Sequence, residues 1–312
     1  MRFKKLDLNL LVALDILLEQ KSITRTAEKL NMSPSAVSNS LSRLREYFED
    51  DLLTQIGRKM VITPLGENLQ SQVRNALYNI ESTILLQPNF EPDKTERIFS
   101  IICSDYTLTV LVPHILEIVS QQKSTARFQF LPQVENPNEQ LEKGKADLLI
   151  IPTDFVSKEH PSKVIYDEKF VCVVWSESEL ADGKMTMERY ANAGHVVMRP
   201  APKRPNYFEK VFSNKFDLKR RIVATTFSFA ILPSLVIGSD NITTVHSKLA
   251  YKMAKVWPLK ILELPFELPR MQQCLQWHQY RNNDEGLIWL RGVIEEAIEK
   301  MNASHNHLTS AS

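Results

Sequence analysis

Apolar positions in the first ninety residues recur with helical period, and the polar residues between them mark where each helix starts and stops. In "DLNLLVALDILLEQ" (7–20), Leu11, Leu14 and Leu18 share a helix face, with Asp7 placed to cap it. Ser22 caps a second, short helix whose apolar positions are Ile23, Ala27 and Leu30. Asn31-Met32-Ser33 is a turn. Ser33 then caps a third helix that opens on Pro34, where a missing N–H costs nothing, and runs to about Phe48. "DDLLTQIGRKMVIT" (50–63) reads as two short strands joined at Gly57-Arg58-Lys59. Thr63-Pro64 repeats the cap-then-proline signal and starts a helix to about Gln87, about 36 Å long at 1.5 Å per residue. Its apolar positions Leu65, Leu69, Val73, Ala76, Ile80 and Ile84 step by 4, 4, 3, 4 and 4, a continuous seam suited to pairing with a second chain.

Past the proline-bearing linker "QPNFEPDKTE" (87–96) the period changes. "RIFSIIC" (97–103), "ARFQFLP" (126–132) and "ADLLIIP" (146–152) read as strands, with helices at about 106–119 and in "PNEQLEKG". This βαβαβ run implies a mostly parallel sheet. "KFVCVVW", "GHVVM", "RRIVATT", "NITTVH", "LKILELP" and "MQQCLQWHQY" supply further strands, and "NYFEKVFSNKF" and "HSKLAYKMAKVW" further helices. A last amphipathic helix carries Leu287, Leu290, Ile294 and Ile298, and residues 303–312 are predicted to be a disordered tail.

The third helix is unusual on its polar side. At about 100° per residue, Val37, Leu41, Leu44 and Phe48 fall within roughly 40° of one another, while Ser35, Ser38, Asn39, Ser42 and Arg43 occupy the opposite arc. A merely solvated face favours Glu, Lys and Gln, because Ser and Thr gain little inside a helix. Two short helices, a three-residue turn and a small residue, Ala27, where they meet describe a helix-turn-helix. Its second helix would enter a DNA major groove. There Asn39 and Arg43 reach base edges, with Ser38 and Ser42 short enough for close approach. Ser33 and Ser35 with the free N–H groups of the helix start suit phosphate, as do the cations Arg25 and Arg45 and the wing-tip pair Arg58 and Lys59.

Composition adds little to this picture. The net charge of +1 does not mark a nucleic-acid binder, and residues 1–63 hold only ten Lys/Arg against eight Asp/Glu. The apolar run after the basic start is broken by Asp7, Asn9 and Asp15, so no signal peptide or membrane span is expected. Three scattered cysteines in strand-like runs suit a reducing cytoplasm and buried thiols. Metal-ligand spacing and a glycine-rich phosphate loop are both missing from the sequence, so neither metal nor cofactor is expected.

"LNLLVALDILLEQKSITRTAEKLNMSPSAVSNSLSRLREYFEDDLL" together with "TPLGENL" resembles the N-terminal signature of LysR-type transcriptional regulators. The likeness is nearest to the branch containing the nodulation regulators and regulators of aromatic catabolism. It extends more loosely through "IICSDYT", "ADLLIIP" and "FAILPSLVIGSDNITTVHSKLA". The resemblance implies an N-terminal all-α winged helix-turn-helix with a long linker helix. It also implies a C-terminal α/β effector domain of two subdomains, like periplasmic binding proteins. Expected boundaries are 6–63 for the winged domain, 64–88 for the linker helix and 95–302 for the effector domain. Within the last, subdomain I takes about 95–165 and 268–302, and subdomain II about 166–267. Expected partners are double-stranded DNA at an interrupted palindrome, a small-molecule effector, further copies of the chain as a dimer of dimers, and RNA polymerase.

Ligands in such sheets sit beyond the carboxyl ends of strands. That nominates Ser104, Tyr106 and Thr107 after "IIC", Thr153 and Phe155 after "LLII", and Thr226 and Phe227 after "IVA", with His195 and Arg199 as sources of charge. Asp105 would repel an anion, which favours a neutral or phenolic ligand. Two other functions remain open on the sequence. An enzyme with an appended DNA-binding domain is disfavoured because no catalytic triad order or metal cluster emerges. A constitutive DNA-binding oligomer without effector is the stronger alternative.

Overall fold

The structure, a computed structural model, describes residues 2–3, 6–57, 59–84, 90–133, 136–199, 206–216 and 218–310. The chain forms two compact units, Met1–Gln87 and Pro88–Ser312.

In the first unit, strands β1 (Arg2–Phe3) and β2 (Leu6–Asp7) pair antiparallel and lead into α1 (Asn9–Gln20), α2 (Ile23–Leu30) and α3 (Pro34–Phe48). A hairpin of β3 (Leu53–Ile56) and β4 (Lys59–Ile62) follows, then α4 (Pro64–Ile84). The unit is therefore not all helix; besides the expected wing it has the β1–β2 pair, which hydrophobic periodicity over so few residues does not signal. Asp7 ends β2, and its carboxylate accepts the Asn9 N–H at 3.1 Å, so it caps α1 from two residues upstream. The core comes from the apolar stripes read in the sequence. Leu14, Leu17 and Leu18 of α1 meet Val37, Leu41 and Leu44 of α3 and Leu52 and Leu53 before the wing, all essentially inaccessible. Each such side chain contributes about 1.5–3 kcal/mol of burial.

The seam of α4 is divided between two environments. Val73 is buried in this core, and Leu69 and Leu77 pack against it, while Arg74 forms an ion pair with Asp15 of α1 at 2.9 Å. Val73 is thereby occupied within its own domain, while Leu69 is half-buried against the same core. Ala76 and Ile80 are exposed. The Ile84 side chain lies outside the described residues.

The second unit contains β5 (Ile98–Cys103), α5 (Asp105–Val110), α6 (Val112–Gln121), β6 (Arg127–Pro132), α7 (Pro137–Glu142) and β7 (Leu148–Pro152). These are followed by β8 (Ser162–Glu168), β9 (Phe170–Trp175), α8 (Met187–Asn192), β10 (Gly194–Met198), α9 (Tyr207–Lys215) and β11 (Arg221–Thr226). The unit ends with β12 (Asn241–His246), α10 (Ser247–Met253), β13 (Leu259–Leu262), β14 (Met271–Trp277) and α11 (Glu285–Ser310). Two five-stranded sheets result, ordered β6-β5-β7-β14-β8 and β11-β10-β12-β9-β13. In each, four strands run the same way and one, β14 in the first and β9 in the second, runs opposite to them. The sheets are thus mixed, because the chain crosses from one to the other at 168–170 and back at 262–271.

Three local departures from the sequence reading have simple causes. The helix expected at 106–119 is two helices meeting at Leu111, because Pro113 sits in the first turn of α6 and supplies no N–H. Strand β8 was not anticipated; it lies at a sheet edge, where charges such as Lys163 are tolerated and mask the strand pattern. The tail predicted as disordered from 303 is helical through Ser310. His305 stacks edge-on against Tyr251 of α10 at 5.4 Å and lies 3.4 Å from the Ser247 hydroxyl, which gives the extra turns a docking surface.

Candidate functional site

Helix α3 presents two faces. Val37, Leu41 and Leu44 are buried, whereas Ser35, Ser38, Asn39, Ser42 and Arg43 are exposed. Ser33 caps the helix by accepting the Ala36 N–H at 3.2 Å, and its hydroxyl lies 2.9 Å from that of Ser35. Ser42 donates to the Ser38 carbonyl at 3.1 Å, a local bond that leaves its oxygen able to accept from outside. Not every hydroxyl of the segment belongs to this face: Ser40 is buried and bonds the Ala36 carbonyl, and Thr26 is fully buried in the unit.

The cations divide similarly. Arg43 is exposed and pairs loosely with Asp7 at 3.6 Å. The Asn9 N–H above all, with a smaller contribution from the Arg43 charge, holds the Asp7 carboxyl below its usual range. Arg25 is exposed on α2, and Lys59 is exposed on the wing, where Gly57 turns with φ +64° and Ile56 is two-thirds exposed. Arg58, expected at the wing tip, lies outside the described residues. Arg45 departs from the sequence expectation. Its guanidinium donates to the backbone carbonyls of Asp51 at 2.8 Å and Leu53 at 2.5 Å, tying the end of α3 to the wing. At eight residues from Val37 it has rotated back toward the core stripe.

In the second unit a cavity of about 500 Å³ lies where the two sheets face each other. Of the residues nominated from the sequence, Ser104, Phe155 and Phe227 line it. Tyr106 and Thr107 are fully buried beneath it. Thr107 shares a hydrogen bond with the Ser104 cap at 3.2 Å, and the Tyr106 hydroxyl donates to Glu168. Thr153 donates to the Gln272 carbonyl at 3.1 Å, tying the end of β7 to β14, and Thr226 accepts the Ser228 N–H at 3.3 Å in a local turn. His195 is buried away from the cavity against Tyr190, bonded to its carbonyl at 2.8 Å, and burial pushes it down to about 4. Arg199 is exposed and does not reach the cavity.

Sequence reasoning missed most of the apolar wall: Phe130 and Leu131 from β6, Phe170 from β9, Tyr207 and Phe208 from α9, and Phe229. It also missed His246 and Met198, which end β12 and β10, and Gln273 near the start of β14. His246 and Met198 obey the strand-end rule and could have been found by it. Gln273 could not, since β14 runs antiparallel and brings its beginning to the rim where β7 ends, opposite Pro152.

Across the mouth of this cavity Asp105, the first residue of α5, reaches the other subdomain. Its carboxylate accepts from the Ser228 hydroxyl at 2.5 Å and from the Ala230 N–H at 2.9 Å. The carboxylate that looked like a repulsive ligand neighbour is therefore also a latch between subdomains.

Comparison with known proteins fits this arrangement. Residues 8–67 match the bacterial regulatory helix-turn-helix of the lysR family, and residues 93–299 match the LysR substrate-binding domain. The chain is 37% identical to nodulation protein D of Bradyrhizobium sp. (strain ANU 289), over 98% of this chain and 90% of that protein. It is 36% identical to nodulation protein D 1 of Rhizobium leguminosarum bv. phaseoli, over 98% and 97%. Among solved structures, a full-length OxyR variant from Pseudomonas aeruginosa superposes with a TM-score of 0.66 at 14% identity, covering 94% of each chain. Full-length LysG from Corynebacterium glutamicum, with its bound effector Arg, gives 0.64 at 16%, covering 95% of this chain and 99% of that one. With the exposed polar face of α3, the two-sheet effector domain and these full-length matches together, the chain belongs to the LysR family of transcriptional regulators.

Proposed function

We propose that the protein reads an interrupted palindrome in duplex DNA through the exposed side of α3, two copies at a time, and that a neutral aromatic small molecule in the 500 Å³ cavity modulates its promoter activity. The observation carrying the first half is that Ser35, Ser38, Asn39, Ser42 and Arg43 are all exposed on one face while their apolar counterparts are buried. Asn39 and Arg43 supply the base-edge contacts, Ser33, Ser35 and the helix start meet phosphate, and Arg25 and Lys59 flank the groove. One short helix makes few base contacts, so pairing of chains is needed for useful specificity. Exposed Ala76 and Ile80 on the distal part of α4 are the natural pairing surface, and two such dimers would form the working tetramer.

Phe130, Phe155, Phe170, Tyr207 and Phe208 give the cavity flat apolar walls, and the Asp105 carboxylate at its rim disfavours an anion. Such a site takes a ring system without charge. Because Asp105 joins the two subdomains across this space, an occupant that fits only one degree of closure shifts their equilibrium. The tetramer then moves its paired DNA-binding units and presents the promoter to RNA polymerase. Such a protein works where the chromosome is, in the cytoplasm, and among the described residues no helix is long and apolar enough to cross a membrane.

Mapping genomic sites bound by the full chain tests the reading. Expected are short palindromic half-sites, lost on replacing Asn39 by Ala. A protein that binds all duplexes equally, or none at low salt, overturns it.

A further inference from the structure

Two polar side chains that line the cavity are sealed by the fold without a partner. His246, at the end of β12, is 4% exposed, and Gln273, near the start of β14, is 2% exposed. Neither His246 Nδ1 nor Gln273 Oε1 has a hydrogen-bond partner. Folded proteins leave few buried polar atoms unpaired, because each has surrendered its water. Here both belong to side chains that line one space, from opposite sheets.

The imidazole is held in place by its neighbours. Its ring lies on that of Tyr106 at 3.9 Å between centroids and 16° between planes, with Phe170 and Phe229 each 4.9 Å away. Tyr106 is itself anchored: its hydroxyl donates to the buried Glu168, which also accepts the Lys169 N–H at 2.9 Å and lies 3.8 Å from the Lys248 ammonium. With Tyr106 stacked on one face and Phe170 and Phe229 packed close by, the ring is held so that its nitrogens are what it has left to bond. The ring is neutral, since burial and then the nearby Lys248 charge push it down to about 3.

We propose that His246 and Gln273 form a two-point subsite for hydroxyl groups at opposite ends of the effector, so that the bound molecule bridges the two subdomains. This rests on the cavity being the effector site. A hydroxyl both donates and accepts, so it satisfies an imidazole in either tautomer and a side-chain amide in either orientation; an ether satisfies only a donor. The ring stack fixes where the first hydroxyl sits. Gln273, on the strand that returns from the second sheet, fixes the second. An occupant bonded to both favours the closed arrangement that the Asp105 latch also holds, which gives the ligand its differential affinity for one state.

The test titrates naphthalenediols and dihydroxybiphenyls, each beside its dimethyl ether, into the full chain and into His246→Phe and Gln273→Leu. The wild type should prefer diol over ether by about tenfold or more, because the ether leaves a buried polar atom unpaired. In each variant the preference should shrink to about threefold or less, with ether affinity retained. A wild type that takes diol and ether alike, or variants that keep the full preference, removes the subsite and leaves the cavity standing. A wild type that takes up neither member of any pair rejects the effector reading, and the subsite with it. Thermal melts establish folding of both variants; should His246→Phe not fold, Gln273→Leu alone decides.

Discussion

Two arginines two positions apart on α3 show how much a residue's role depends on its angle around the helix. Arg43 points outward with only a 3.6 Å ion pair to Asp7, so DNA phosphate or a guanine edge competes easily for it. Replacing it with Ala should weaken binding to the preferred duplex by about 1–3 kcal/mol and relax base preference, measured by fluorescence anisotropy on cognate and scrambled sites. Arg45 is spent on the carbonyls of Asp51 and Leu53. Arg45→Ala should instead lower stability by about 1–2 kcal/mol in denaturant titration, with base preference intact. Charge alone did not separate these two in the sequence; the helical angle from Val37 did so only in part. The same limit applies to Ser40, one serine among several in "SPSAVSNSLS", whose burial follows from its place beside Leu41 and Leu44.

The starts of α2 and α3 were well marked, because Ser22 and Ser33 declare themselves as caps. What a continuous apolar seam packs against is not encoded in its spacing. Leu65 to Ile84 repeats evenly, yet docking of α4 on α1 turns Leu69 and Val73 inward and leaves Ala76 and Ile80 outside. Ile80→Lys should therefore dissociate the dimer in analytical ultracentrifugation without lowering the melting temperature of the monomer. Val73→Lys should fail to fold. The turn into α4 is equally constrained. A methyl group on Gly66 would come within 2.6 Å of the Ile62 side chain and 2.7 Å of the Leu52 carbonyl oxygen. The backbone atom cannot step aside cheaply, so Gly66→Ala should cost about 1–3 kcal/mol in an equilibrium melt. No propensity scale predicts that from sequence, since alanine is the better helix former.

For the molecule as a whole, strand–helix alternation made an α/β second unit legible and the family resemblance supplied its two subdomains, but the cavity wall was assembled from strands and loops too far apart in sequence to be read together. Stability should carry a signature of its buried histidines. His195, His278 and His305 are pushed down to about 4 and His246 to about 3, in each case chiefly by burial. The unfolded chain takes up those protons near pH 6.5, and the folded chain refuses them until pH 3–4. Unfolding therefore absorbs protons in that window, and the effector domain should lose stability steadily as pH falls from about 6.5; Glu168, raised by burial, leans the other way. Differential scanning calorimetry at pH 7, 6 and 5 checks this, and an unchanged melting temperature would count against it. The last turns of α11 bear on how this protein should be handled. His305 joins that helix to α10, an element of the opposite sheet's layer. A shortened C-terminus, or an affinity tag fused close behind Ser310, would disturb a brace that spans both halves of the sensor, so purification handles belong elsewhere and truncations ending before His305 should report an effector response looser than the native one.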